Sequence, residues 1–497
     1  MSGPNIPSIR QSPTDVDEKH VNLRELGNMA EDLEADLIER VTARSCSTFP
    51  FNRLPREIIA EIFWNCLVHE RETVWISSGN APLLLCRICV SWRALALAMP
   101  ELWASVGIFL RHPNDVDPST CAHIINAWLE RSGILPLTVA IDYEKIDYRT
   151  RSPTTKPTVL DAVLSVVYSY SSRWQNVAIT TWLPMSFPQL ETLPFLRSFH
   201  LQGFYFSPEH NAVSLPFNGS PRLTRLSWPY PLDAPPNPRI PWSQMSHLCL
   251  TSNMTFFAAL ETIRLCPQLE NFRTYLIAED REDRFPATVQ NRCLRTLEIY
   301  CRADCSPFLD SLILPKLGEF CLVGSISSGI GGREAFLALL TRSNCKLYKL
   351  ALRHCAFEPF IECLEQESFN SIQELKISFS PKLTNVKLIR LTVYPSPPAP
   401  RVLLPKLTHL RLRWCLHAST GMLANMVLSR RQRDGHEAKP LQCLHVMDDQ
   451  LYEMDIRPIE DEVGDEFSAG FDMKCLINKN GERITIRRWE GFEGFDG

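Results

Sequence analysis

The chain has 497 residues, 45% of them hydrophobic and 22% charged, and a formal net charge of −4. That balance excludes a disordered chain, and the small negative charge excludes one built to coat nucleic acid. No apolar run approaches the roughly 18 residues of a membrane span, so no membrane partner is expected.

In chain order, Met1-Ser2-Gly3-Pro4-Asn5 has no basic stretch leading into an apolar one, so it does not read as a secretory signal. The 17 cysteines are therefore expected in a reducing compartment, cytoplasmic or nuclear, as small buried hydrophobes. Residues 1–47 read as an N-terminal arm, disordered and then helical. From Asp17 to Arg44, Val21, Leu23, Leu26, Met29, Leu33, Leu37, Ile38 and Val41 fall at roughly helical spacing. A solvated helix packed on the next segment of the chain suits them better than a self-associating coiled coil, because the pattern lasts too few heptads.

Residues 48–110 hold three predicted helices. Pro55 suits a first helical position, where no donor is missed and φ is preset. Glu57 sits in the first turn, where a negative charge favours the helix dipole. Ile58, Ile59, Ile62, Phe63, Cys66 and Leu67 come next at helical spacing. Pro82 opens a second apolar helix, and a third carries Val90, Trp92, Leu95 and Ala96 until Pro100 stops it. Three short helices make a small core, so part of their apolar surface is expected to meet another chain.

Leu54-Pro55-Arg56-Glu57, the apolar helix after it and the later Cys89-Val90-Ser91-Trp92-Arg93 together resemble an F-box. Met99-Pro100-Glu101-Leu102-Trp103 resembles the F-box proteins that mushroom-forming fungi encode in large numbers. The chain departs from the family's short form between Leu67 and Pro82, where His69 to Asn80 lengthen the first connection. The resemblance implies docking to a Skp-type adaptor, and through it to a cullin, by a face that Leu54, Pro55, Ile58, Ile62, Phe63, Leu84, Cys89 and Trp92 form or support.

Beyond Trp103, Ser105–Leu110 reads as a strand, Pro118 begins a helix, and Leu137–Ile141 is a further strand. An apolar-x-x-apolar-x-apolar pattern then recurs eleven times, from Trp174/Val177/Ile179 to Leu441/Leu444/Val446, mostly at steps of 22 to 30 residues. Helix candidates lie between, at Thr158–Ser171, Thr255–Leu265, Arg333–Thr341, Pro359–Glu367 and Gly421–Arg431. Leu383/Val386/Leu388 is expected to add a strand. One strand and helix cannot bury both apolar faces alone, but stacked copies share a core. Residues 111–447 thus resemble the irregular leucine-rich repeats that follow many F-boxes. The expected fold class is α+β: a three-helix F-box, then an irregular α/β repeat solenoid. Residues 448–497 read as an acidic tail, a solvated cap, with a hairpin of Cys475–Ile477 and Ile484–Ile486 around the turn signal Asn480-Gly481.

Catalytic motifs are missing. Cys86-x-x-Cys89 has no second pair at zinc spacing, and its cysteines read as core. No phosphate loop, nucleophile elbow, dinucleotide fingerprint or paired helical histidines occur. Neither metal nor cofactor is expected. The resemblance implies a substrate-recognition subunit of a ubiquitin ligase, with catalysis left to the recruited conjugating enzyme. A repeat scaffold that uses its F-box only to bind the adaptor is the alternative. An enzyme has no nucleophile and base pair to support it.

Side chains alternate along a strand, so the residues flanking the last two apolar positions of each repeat point out of the core. They are His200, Arg225, His247, Arg273, Tyr275, Tyr300, Lys349, Arg353, Lys376, His409, Arg411 and Arg413, with the acids Glu298, Glu319 and Glu374. In a solenoid these would line the concave face. A basic and aromatic face is expected to hold an acidic or phosphorylated segment of a protein substrate.

Overall fold

Pro55 has an extended backbone (φ −53°, ψ 146°), so the first helix, α1 (Arg56–Asn65), begins one residue after it. The computed structural model describes residues 54–67, 75–77, 79–110, 117–143, 159–181, 187–188, 190, 193–203, 220–232, 240–277, 288–301, 303–324, 331–355, 363–393, 402–431, 438–448, 455–459, 472–479 and 483–487. Helices and strands are mixed in a fold of the α+β kind. The chain divides into two compact units, Met1–Leu223 and Thr224–Gly497. That division cuts inside the expected repeat region rather than at its ends.

In the first unit, α2 (Leu83–Ile88) and α3 (Val90–Leu97) come after α1, parted by Cys89 in extended conformation. Phe63 is buried, and its ring packs 4.9 Å from that of Trp92. Arg93 Nε donates to the Cys86 carbonyl at 2.7 Å, tying α3 back to α2. Fully buried Trp103 donates its indole N–H to the Ala96 carbonyl at 2.8 Å and meets Trp128 edge-on at 4.9 Å. This anchors the helices to four parallel strands: β1 (Ser105–Leu110), β2 (Leu137–Tyr143), β3 (Trp174–Thr180) and β4 (Ser198–Gln202), paired in chain order. α4 (Pro118–Arg131) and α5 (Val159–Ser169) connect them. Asp117 starts α4 by accepting the Thr120 N–H at 2.9 Å.

The second unit runs β5 (Arg225–Trp228), β6 (His247–Thr255), β7 (Asn271–Ile277), β9 (Thr296–Cys301), β11 (Glu319–Val323), β12 (Lys349–Arg353), β13 (Glu374–Ser378), β15 (His409–Arg413) and β17 (Cys443–Met447). Each pairs in parallel with the next. Parallel neighbours need a crossover, which α6 (Phe256–Leu265), α7 (Ser306–Asp310), α8 (Gly331–Ser343), α9 (Asn385–Leu391) and α10 (Met422–Ser429) help supply. The short strands β8 (Val289–Gln290) and β10 (Leu312–Ile313) pair with each other, as do β14 (Leu383–Thr384) and β16 (Leu416–His417). One row of register partners is Leu226, Leu248, Phe272, Leu297, Phe320, Leu350, Leu375, Leu410 and Leu444, all buried. Burial of each such side chain is worth about 1.5–3 kcal/mol. Phe320 of this row stacks on Phe336 of α8 at 4.4 Å, so the row faces the helices.

The last two apolar positions of all eleven repeat segments fall on strands. The added strand at Leu383/Val386/Leu388 does not form as expected. Only Leu383–Thr384 is extended, and α9 comes directly after it, burying Leu388 and Leu391 three residues apart and leaving Val386 exposed. Three-residue spacing is helical, and the alternate reading of Leu383 to Leu388 missed Leu391. The acidic stretch also needs correction at two places. Asp448 and Asp455 are buried acceptors, the first for the Leu416 N–H at 2.7 Å and the second for that of Gly421. The hairpin forms as β18 (Asp472–Lys479) against antiparallel β19 (Arg483–Arg487). The N-terminal arm, the first four residues of the helix candidate Pro359–Glu367, the Asn480-Gly481 turn and residues 449–454 and 460–471 of the acidic stretch lie outside the described residues. No helix among those described is long and apolar enough to cross a membrane.

Candidate functional site

Two surfaces stand out. The first is on α1, α2 and α3. A helix of this size has room to bury only one stripe: α1 buries Ile59 and Phe63, and α2 buries Leu83, Leu85 and Cys86. Six large apolar side chains stay in solvent: Leu54, Ile58 and Trp64 near α1, Leu84 and Ile88 on α2, and Val90 at the start of α3. Of the residues expected to form or support an adaptor face, Leu54, Pro55, Ile58 and Leu84 are exposed, while Ile62, Cys89 and Trp92 are half-buried. Phe63 is fully buried and acts as the floor under Trp92. The sequence reading missed Trp64, Ile88 and Val90. Leu84 and Ile88, four residues apart and on one helix face, carried the signal for α2.

The second surface is the outward side of the second unit's strands. All twelve residues expected there lie on strands. His200 is on β4 of the first unit, where its Nε2 lies 3.4 Å from the Gln202 side chain. The other eleven are in the second unit. Arg225 and His247 are register partners, and burial followed by Arg225 lowers the His247 imidazole below its usual range. Arg273 donates to Glu298 at 2.7 Å, and Tyr300 Oη donates to the same carboxylate at 2.8 Å. Burial pulls the Arg273 guanidinium down, but Glu298, Cys249 and Tyr300 together outweigh it and hold the group more firmly charged than usual. The Tyr275 and Tyr300 rings stack 4.2 Å apart, and burial, then Glu298, raises the Tyr300 phenol. His409 contacts Thr408 Oγ1 through Nδ1 at 2.9 Å.

The three acids are not scattered. Each is built into the cation row: Glu298 with Arg273, Glu319 with Lys349 at 3.1 Å, and Glu374 with Lys349, Lys376 and Arg411. The face from β7 to β15 is therefore a lattice of alternating charge rather than a uniform basic strip. Small side chains at Cys321 and Ala351 leave a depression of about 110 Å³, walled by Tyr300, Arg353 and Lys376. Burial pushes the Cys321 thiol up to about 12, so it stays protonated and unreactive at neutral pH.

At the ends of β12, β13 and β15 sequence reasoning missed a further feature. His354, Phe379 and Trp414 each come directly after the last strand residue and adopt left-handed backbone (φ 54°, 65° and 52°). Their N–H groups donate to the terminal carbonyls of the neighbouring strands, Ser378, Arg413 and Met447, at 3.0, 2.8 and 2.7 Å. Left-handed backbone at a bulky residue costs about 1–2 kcal/mol, and this recurring hydrogen bond offsets it. The signal was present: an aromatic side chain recurs two places after the last apolar residue of three successive repeats.

Among the described residues no group of histidine, cysteine or acidic side chains suits a metal ion. No family model matches the sequence, and no curated protein matches it significantly.

Proposed function

We propose that this chain is the substrate-recognition subunit of a Skp-adaptor, cullin and F-box ubiquitin ligase. In this reading α1, α2 and α3 form the F-box, which docks the adaptor. The parallel strands and returning helices form a leucine-rich-repeat solenoid, which holds a protein substrate. The observation that carries the reading is the set of six large apolar side chains exposed on, or just before, three short consecutive helices: Leu54, Ile58, Trp64, Leu84, Ile88 and Val90. Single exposed apolar residues are ordinary, but this many on so small a helical unit suits a surface that a partner covers. The Leu54-Pro55-x-Glu57 and Cys89-x-x-Trp92-Arg93 segments lead into α1 and α3 of the same unit. Catalysis then belongs to the recruited conjugating enzyme, and this chain needs neither nucleophile nor cofactor.

Affinity purification of the tagged full chain, with the proteasome blocked, tests this. Adaptor and cullin are expected together. Adaptor without cullin would contradict the ligase role in favour of a scaffold, and neither protein would contradict both.

A further inference from the structure

Glu374 stands among three cations on three neighbouring strands. Lys349 Nζ lies 3.8 Å from it, Lys376 Nζ 3.4 Å and Arg411 Nε 3.5 Å. These separations exceed the about 2.7–2.9 Å of a good charge-assisted hydrogen bond, so the three cations share this carboxylate rather than any one of them pairing tightly with it. Lys349 has Glu319 as a second acceptor. The Arg411 Nε is buried and finds no hydrogen-bond acceptor, which is costly unless something fills the gap. Burial, and then Arg411 and Lys349 against the pull of Glu374, lowers the Lys376 ammonium, as crowding by like charge requires.

Four residues beyond Lys349 on β12 comes Arg353, and two beyond Arg411 on β15 comes Arg413; Ser378 on β13 is the register partner of Arg353. Next comes the strip His354, Phe379 and Trp414, all half-buried. The His354 and Phe379 rings stack 4.1 Å apart, with the Arg353 guanidinium 5.7 Å from the Phe379 ring centre. A cavity of about 630 Å³ opens beside the strip, lined by Tyr275, Tyr300, Arg353 and His354 among others. The patch thus places three cations within 4 Å of one carboxylate, next to aromatic edges and a hollow large enough for a side chain.

From this arrangement we infer that the β12–β13–β15 patch binds an anionic side chain, carboxylate or phosphate, on an extended segment of a partner protein, with a neighbouring apolar side chain lying along His354, Phe379 and Trp414. That the partner is a ligase substrate rests on the function proposed above; the site itself does not. Nucleic acid fits less well. The His354 and Phe379 faces are spent on each other, and stacking a base between them would need roughly twice their separation. Glu298 and Glu319 also interrupt the cation row that a phosphate backbone would follow.

The test uses the full chain and three oriented peptide libraries with a fixed central serine, glutamate or phosphoserine, read by anisotropy. The glutamate or the phosphoserine library is expected to bind at least tenfold more tightly than serine. Binding should weaken as salt rises. The tighter of the two anionic libraries identifies the source, carboxylate or phosphate. Arg411→Gln and Lys376→Gln should each lose most of that preference, with the melting temperature recorded to exclude unfolding. Arg411→Lys, which keeps the charge without the fork, should lose part of it. Equal binding of all three libraries, or none, would overturn the site, as would tighter binding of a single-stranded oligonucleotide. Adaptor binding is measured on the same samples: its loss in the native chain counts against the proposed function, and peptide failure with adaptor binding intact counts against this site alone.

Discussion

His354 shows at the scale of one residue how packing sets chemistry. Burial, and then the Arg353 charge, lowers its imidazole below the ordinary histidine range. The unfolded chain therefore binds a proton near pH 6.5 that the folded chain refuses until lower pH. Stability from this group is complete above that value and falls as pH drops below it. His247, lowered in the same direction by burial, adds to the effect. His354→Phe keeps a ring against Phe379 and removes the titration. Its loss of melting temperature from pH 7 to pH 5 should be smaller than that of the native chain, and an equal loss would contradict this assignment. None of this was legible beforehand. The sequence identified outward positions by alternation alone, and alternation carries no information on which acid stands beside which cation. Glu374 was legible as an outward acid but not as the shared partner of three cations, because that depends on register between strands about 25 and 35 residues apart.

At the scale of elements, the eleven apolar triplets were legible because the strand period of two and the buried row coincide in every repeat. Helices were legible where a polar cap preceded an apolar stripe, as with Thr255, whose side chain accepts the Ala258 N–H at 3.2 Å at the start of α6. Connections were less so. Asn291 is 2% exposed. Its Oδ1 accepts the N–H groups of Cys293 and Leu294 at 2.9 and 3.0 Å, and its Nδ2 donates to the Cys266 carbonyl at 2.8 Å. One side chain thus joins the end of α6 to the approach to β9. Asn291→Ala would leave buried backbone groups unpaired, at about 1–3 kcal/mol each. We expect a loss of roughly 2–4 kcal/mol in urea unfolding, and a loss under about 0.5 kcal/mol would contradict that role.

At the scale of the whole molecule, the F-box-like segment and the repeats were read as separate domains, yet β1, which closes that segment, pairs directly with β2. The division into units falls instead at Leu223/Thr224, inside a run of repeats whose period does not change there. A local pattern therefore offered nothing to mark it. The exposed helical face is put to the test by the affinity of the full chain for a purified Skp-type adaptor, compared with Ile58→Ser plus Leu84→Ser. Both side chains are largely in solvent, at 48% and 42% exposure, so the melting temperature should barely move. Removing two apolar anchors from an interface costs about 2 kcal/mol or more, a weakening of roughly thirtyfold or greater. A complex with the native chain and that weakening in the folded variant are expected. Unchanged affinity in the variant, or no complex with the native chain, would contradict it.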